Sequence, residues 1–230
     1  MPITLTYGSL MGLAQPIRLL LKGANVKFED KQYDMSQFKT LWMEKDKIDF
    51  INKGVVFPSI PILTDDDFHV TQQGAILQYL GEKYLFTCDV KNLQKRAMIN
   101  AYYNFGKDLW TKFWKALGLS KSEKDEDIAE KKKLHDELKA SMETMSNKVF
   151  LKTSFVTGEK VSWADFYIFH LCCLFSAWSN EIADLEGVKK FMAAMLEKNG
   201  DDFKEYYEDT FKNMRVGPGR GPMAEWKAEF

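Results

Sequence analysis

Four short stretches of the chain carry residue types and spacings that could do chemistry. Tyr7-Gly8-Ser9 places a phenol and a hydroxyl where a strand-like segment (Ile3 to Tyr7) gives way to a helical one. That is the kind of strand-to-helix crevice where open α/β sheets bind ligands. A phenol O–H there can donate to a bound thiolate. A free thiol ionises near pH 8.5, and each unit of lowering needs about 1.4 kcal/mol of anion stabilisation. One aimed donor beside a helix dipole supplies about that much. Ser9 is a rival donor, and a half-buried core tyrosine is the plain structural alternative. In Pro58-Ser59-Ile60-Pro61 two prolines bracket two residues before a short strand. A cis Ile60–Pro61 bond would offer the Ile60 backbone groups to an extended peptide; a rigid turn is the plain alternative. Thr71-Gln72-Gln73 opens a helix whose N-terminal N–H groups suit a carboxylate, with the Gln72 amide beside them. An ordinary first turn capped by Thr71 reads the same residues without a ligand. Ser162-Trp163-Ala164-Asp165 is a capping box, with Val161 and Phe166 as its hydrophobic staple. Its expected role is structural.

The elements that must position these groups follow from periodicity. Ile3 to Tyr7 reads as a strand, Leu13 to Ala24 as a helix with Pro16 in its first turn, and Lys27 to Tyr33 as a strand. Ser36 to Phe50 is a weaker helix. Ile60 to Leu63 and Phe68 to Val70 form a hairpin around Asp65 to Asp67, and Thr71 to Tyr84 is a helix. The order βαβαββα predicts a small mixed sheet with a helical cover over residues 1–85. After a linker over residues 86–92, residues 93–214 read as helix throughout, and Ser162 to Trp178 is apolar nearly all round, as a buried central helix must be. The charged run from Lys121 to Lys133 is expected to be a solvated helix face. Residues 215–230, with Val216-Gly217-Pro218-Gly219-Arg220-Gly221-Pro222, cannot continue a helix and predict an extended tail.

Composition bounds the rest. The 230 residues are 45% hydrophobic and 28% charged, as in a globular protein with a substantial core. Lys plus Arg number 32 against 33 Asp plus Glu, a formal net charge of -1 that argues against nucleic acid as a partner. The longest apolar stretch, Tyr167 to Trp178, is too short to span a membrane. The N-terminal segment has no signal-type apolar region, which argues against secretion and for a cytoplasmic protein. Cys88, Cys172 and Cys173 form no disulfide framework and no CxxC, which fits a reducing compartment. His69, His135 and His170 lack ligand spacing, so no metal is expected.

Together the motifs resemble cytosolic glutathione transferases, especially the mu-like type, with a sigma-like assignment as the alternative class. The similarity lies in Tyr7-Gly8-Ser9-Leu10-Met11-Gly12-Leu13-Ala14-Gln15-Pro16-Ile17-Arg18, in Phe57-Pro58-Ser59-Ile60-Pro61-Ile62-Leu63, in Gln72-Gln73-Gly74-Ala75-Ile76-Leu77-Gln78-Tyr79-Leu80, and in Ser162-Trp163-Ala164-Asp165-Phe166. The resemblance implies a thioredoxin-like N-terminal domain, an all-helical C-terminal domain, a homodimer, and glutathione as cosubstrate. Tyr7 would stabilise the glutathione thiolate for attack on hydrophobic electrophiles, a detoxifying conjugation. Gly8, Ser59, Ile60 before a cis Pro61, Gln72 and Gln73 would line the glutathione site. Trp42 with Lys45 or Lys47 would serve its glycine carboxylate. Phe57 falls at the aromatic key that mu-like subunits insert into their partner. Met11, Leu13, Trp110 and Trp114 are expected to wall the electrophile pocket beside Tyr7, between the domains, with interface packing as the alternative. The chain departs from the mu-like pattern at Gly8 (usually Trp), Gln73 (usually Ser) and Gln78 (usually Arg). Two other activities fit the same fold: a glutathione-dependent isomerase or peroxidase, and a non-catalytic ligand-binding or structural protein.

Overall fold

A computed structural model describes residues 2–87, 91–217, 219–226 and 229–230. The chain forms two compact units. The first comprises Met1–Leu85 with Asn199–Trp226, the second Phe86–Lys198 with Lys227–Phe230.

The first unit is built on a four-stranded sheet. Its strands are β1 (Ile3–Gly8), β2 (Phe28–Tyr33), β3 (Ile62–Asp65) and β4 (Phe68–Thr71), in the order β2-β1-β3-β4. β1 and β2 are parallel, with Tyr7 opposite Gln32, whereas β3 runs antiparallel to both β1 and β4. The parallel pair needs a crossover, supplied by α1 (Gln15–Gly23), and β3 and β4 close as a hairpin. Helix α1 carries Pro16 in its first turn, where a missing N–H costs nothing. It buries every residue from Gln15 to Leu21. Helix α3 (Gln73–Lys83) buries Ile76, Leu77 and Leu80. These side chains and Leu5, Ile62 and Leu63 of the sheet are all buried to completion and form the core. The order βαβαββα is thus as the periodicity predicts. The weak helical segment resolves into a wide π-helical stretch, Phe38–Asp46, followed by α2 (Lys47–Asn52).

The second unit is helical: α4 (Leu93–Leu119), α5 (Asp125–Met145), α6 (Trp163–Trp178), α7 (Asn180–Ala183) and α8 (Glu186–Asn199). Helix α6 is buried along its length except at Ser176 and Ala177. Its packing on α4 requires Gly106, because a Cβ there would stand 2.9 Å from the Tyr167 ring. The capping box at its start is closed. The wholly buried Asp165 carboxylate accepts from the Ser162 N–H at 2.7 Å, the Ser162 hydroxyl at 2.6 Å and the Val156 N–H at 2.8 Å. Burial nevertheless pushes its pKa up to about 6.

The last helix, α9 (Asp201–Asn213), groups with the first unit, whereas the sequence places residues 93–214 in one helical domain. The reason is polar as well as apolar. Gln15 Nε2 donates to Thr210 Oγ1 at 3.2 Å, and the Tyr206 hydroxyl stands 3.3 Å from Gln15 Oε1. The tail is not wholly extended. It carries an isolated bridge between Gly217 and Arg220 and a short 3-10 turn, Met223–Glu225.

Candidate active site

Tyr7 lies near the end of β1, half-buried, with its hydroxyl turned toward the loop that leads into α1. The Leu13 N–H donates to Tyr7 Oη at 3.0 Å. No acceptor for the phenol proton is found among the described residues. Burial raises the Tyr7 pKa, and the Leu13 N–H and the Arg18 charge oppose that without reversing it. The phenol therefore keeps its proton across the physiological range. With one lone pair held by an amide, it is a donor with a fixed aim. Gly12 makes this approach possible. Its φ is +41°, and a Cβ there would stand 2.5 Å from Tyr7 Oη.

Arg18 anchors the same region from below. It is completely buried on α1, with Nε 2.9 Å from Asp30 Oδ2 on β2, Nη1 donating to the Leu10 carbonyl at 2.8 Å and Nη2 to the Gly8 carbonyl at 3.4 Å. Its guanidinium carbon is 5.9 Å from the centroid of the Tyr7 ring. One cation thus ties the backbone on both sides of Tyr7's loop to the neighbouring strand. Sequence reasoning assigned Arg18 no role, although a lone arginine inside the apolar run Ile17-Arg18-Leu19-Leu20-Leu21 signals a buried charge that needs partners. The Leu13 N–H was missed as well; a backbone donor leaves no mark in the side-chain sequence.

The second group of residues gathers at the start of α3. The Ile60–Pro61 bond is cis. Ile60 packs against the cluster of Tyr33, Trp42 and Ile62. Gln72 is the N-cap of α3 but gives it no side-chain cap; its φ is +72° and its side chain is exposed, with Nε2 3.5 Å from Ser59 Oγ. Thr71 ends β4 and is not the cap. A non-glycine residue at such a φ is strained, and such strain gathers at functional sites. Gln73 behaves differently. It is buried, and its Nε2 donates to the Leu13 carbonyl at 2.6 Å.

Other expected site residues are placed as follows. Gly8 is buried, with Met35 Sδ 3.3 Å from where its Cβ would be. Ser9 is half-buried and its N–H donates to the Tyr33 carbonyl at 2.9 Å. Trp42 is only 3% exposed and packs between Tyr33 and Phe50, so its ring belongs to the core of the first unit. Lys45 is exposed and Lys47 half-buried. Their turn is pinned by Asp46, which accepts from Lys31 and from the Tyr33 hydroxyl, both at 2.5 Å. Met11, expected on a pocket wall, is fully buried, with its N–H bonded to the Arg215 carbonyl at 2.7 Å; its side chain packs the first unit. Leu13 is half-buried. In the second unit Trp110 and Trp114 are half-buried on α4, their ring centroids 5.3 Å apart. Phe57 is 72% exposed, on a groove of about 420 Å³ that Val56, Phe68 and Val70 also line.

Among the described residues no group of three or more His, Cys, Asp or Glu could hold a metal. His69 pairs with Thr64 Oγ1 at 3.0 Å and His135 with Ser179 Oγ at 2.9 Å. Cys172 and Cys173 are buried thiols, and burial drives the Cys172 thiol well above its usual range; Cys88 lies outside the described residues. No helix of the described residues is long and apolar enough to cross a membrane.

Known proteins resemble this chain in architecture and sequence. Residues 3–82 match the family profile described as Glutathione S-transferase, N-terminal domain, and residues 107–209 that of the C-terminal domain. Glutathione S-transferase Mu 2 of Mus musculus is 30% identical over 181 residues, covering 74% of each chain. A glutathione S-transferase of Dermatophagoides pteronyssinus is 27% identical over 234 residues, covering 98% of this chain and 97% of its own. The solved structure of the Onchocerca volvulus Pi-class Glutathione S-transferase has a TM-score of 0.73 and 26% identity, over 96% of this chain and all of its own. The chain therefore belongs to the glutathione S-transferase family and is mu-like, an enzyme of the family whose cosubstrate is glutathione, with a thioredoxin-like N-terminal domain and a helical C-terminal domain.

Proposed function

We propose that this protein joins the glutathione thiolate to hydrophobic electrophiles and that Tyr7 supplies the hydrogen bond that keeps the sulfur ionised. The observation that carries the reading is the Tyr7 hydroxyl: it accepts the Leu13 N–H at 3.0 Å and keeps its own proton to give. Donation to a sulfur anion favours the charged form and lowers the thiol pKa. An enzyme that holds a ready thiolate in place needs little further chemistry, because positioning supplies much of the acceleration. The first turn of α3, left without a side-chain cap by Gln72, suits the γ-glutamyl carboxylate. Ser59, the Ile60 backbone and Gly8 are proposed along the peptide, and Lys45 or Lys47 at the glycine carboxylate, with Trp42 fixing their turn from within the core. Leu13, Trp110 and Trp114 are proposed as apolar contacts for the electrophile. The exposed Phe57 suits a homodimer in which it enters the partner subunit. Detoxification in the cytoplasm is the physiological setting we propose.

The test pairs a crystal grown with glutathione and a conjugation assay on Tyr7→Phe. The sulfur is expected within hydrogen-bond reach of Tyr7 Oη, and turnover is expected to fall about 100-fold with glutathione affinity little changed. Full turnover in the variant refutes the assignment and leaves Ser9 as the donor to examine.

A further inference from the structure

The loop Met11–Leu13 decides where the Tyr7 hydroxyl sits, and it is held from three directions. Met11 N–H donates to the Arg215 carbonyl at 2.7 Å and Gly12 N–H to the Val216 carbonyl at 3.1 Å. Leu13 N–H donates to Tyr7 Oη. The Leu13 carbonyl accepts from Gln73 Nε2 at 2.6 Å, a contact that spans 60 residues of sequence. The two bonds to the tail are made by backbone alone and any side chains would allow them. The Gln73 bond is different, because it depends on one residue type with the right reach. The side chain is only 7% exposed, so water competes poorly for that donor and for the carbonyl it meets. Leu13 is therefore gripped at its carbonyl by Gln73, and its N–H is what seats the phenol oxygen. Gly12, next to it, is in a left-handed conformation that by itself would leave the loop free to move.

We infer that Gln73 is a positioning residue for Tyr7: its carboxamide locks Leu13, and Leu13 in turn aims the phenol at the glutathione sulfur. The resemblance to the family casts Gln73 as a direct contact to the γ-glutamyl end. The geometry gives one of its amide N–H groups a partner in the protein's own backbone. A serine, the usual residue here in mu-like members, carries its hydroxyl on Cβ, two carbons short of where the Gln amide begins. This chain would thus hold its catalytic tyrosine by a brace that such members lack.

The inference rests on the reading of Tyr7 as thiolate donor, and the experiment separates the two. Gln73→Met keeps length and volume and removes the donor. The apparent thiol pKa of enzyme-bound glutathione, followed by thiolate ultraviolet absorbance, is expected to rise by about half a unit to one unit. Below that pKa, kcat should fall about 3- to 10-fold while the glutathione KM stays within about twofold. Gln73→Leu, which removes the donor without adding a charge, should show the same shift and serves if the Met variant folds poorly. In a Tyr7→Phe background Gln73→Met should add no further shift, because the two act through one hydrogen bond. A bound-thiol pKa that moves in Tyr7→Phe but in neither Gln73 variant overturns the inference and leaves the tyrosine reading intact. A pKa unmoved by Tyr7→Phe itself overturns the tyrosine reading, and the inference falls with it. A glutathione KM raised tenfold or more with the pH profile unchanged makes Gln73 a ligand contact and overturns the inference alone.

Discussion

The starts of helices α3 and α6 solve the same problem in opposite ways. Each must begin a helix beside a buried core, and each has orphan N–H groups to satisfy. At α6 the N-cap Ser162 is extended, with φ −115° and ψ 164°, and Asp165 gathers three hydrogen bonds. At α3 the N-cap Gln72 sits at φ +72° and ψ 116°, gives no side-chain cap, and points an exposed amide outward. Two other polar groups show the same contrast. Asp165 is wholly buried with both oxygens engaged, while Tyr7 is half-buried and has a proton with no acceptor among the described residues. Satisfied polar groups on relaxed backbone belong to scaffolding. A strained cap and a donor with one unused bond are features that a bound ligand would complete.

The largest effect that would test this contrast comes from Arg18, a buried and paired charge in the Tyr7 region. Arg18→Met keeps the packing and leaves Asp30 and the Leu10 and Gly8 carbonyls without their cation. Stability measured by urea unfolding is expected to drop by about 3 kcal/mol. A loss below about 1 kcal/mol would mean that the region is held by packing alone and that the contrast is overdrawn.

Next in size is Asp165. Its pKa in the folded protein is about 6, against 3.8 for an ordinary aspartate. Between those values the folded chain holds a proton that the unfolded chain has released. The stabilisation this group contributes is therefore complete below the lower value and disappears as pH rises through about 6. Asp165→Asn should flatten that part of the stability profile and cost about 1 kcal/mol at neutral pH through the weakened cap. Parallel pH profiles for the two proteins would contradict the account.

Much of this was legible before any coordinates. The order βαβαββα followed from period-2 and helical patterns, because one buried face leaves its mark at a fixed spacing. The capping box was readable because both its halves are side chains at i and i+3. Tyr7 could be singled out by its place after a strand and before glycine. The rest was hidden for definite reasons. Leu13 acts through its backbone, which no residue type encodes. The reach of Gln73 to the Leu13 carbonyl is not encoded, since sequence gives a side chain's chemistry but not the direction in which it points. Trp42 could be surface or core on composition alone. The segment that forms α9 reads as helix from its sequence, but not as one that meets α1 through Thr210 and Gln15. Arg18 is legible too, because a single charge among the four apolar residues of Ile17-Arg18-Leu19-Leu20-Leu21 asks for a partner.

The smallest effect is the most specific to the contrast. Gln72 is exposed, so replacing it removes little packing, and its positive φ is one that glycine tolerates better than a residue with a Cβ. Strain of this kind costs about 1–3 kcal/mol, and the added freedom of glycine in the unfolded chain takes back about 0.5–1 kcal/mol. Gln72→Gly is thus expected to stabilise the fold by about 1 kcal/mol, within the roughly 0–2.5 kcal/mol these terms leave, in urea unfolding while raising the glutathione KM several-fold. Stability and affinity would then move in opposite directions at one residue. The matching substitution at the other helix start, Ser162→Gly, should destabilise the fold and leave the glutathione KM where it was. If Gln72→Gly instead weakens the fold with KM unchanged, the strained cap is a feature of packing, and the difference between the two helix starts has nothing to do with ligand.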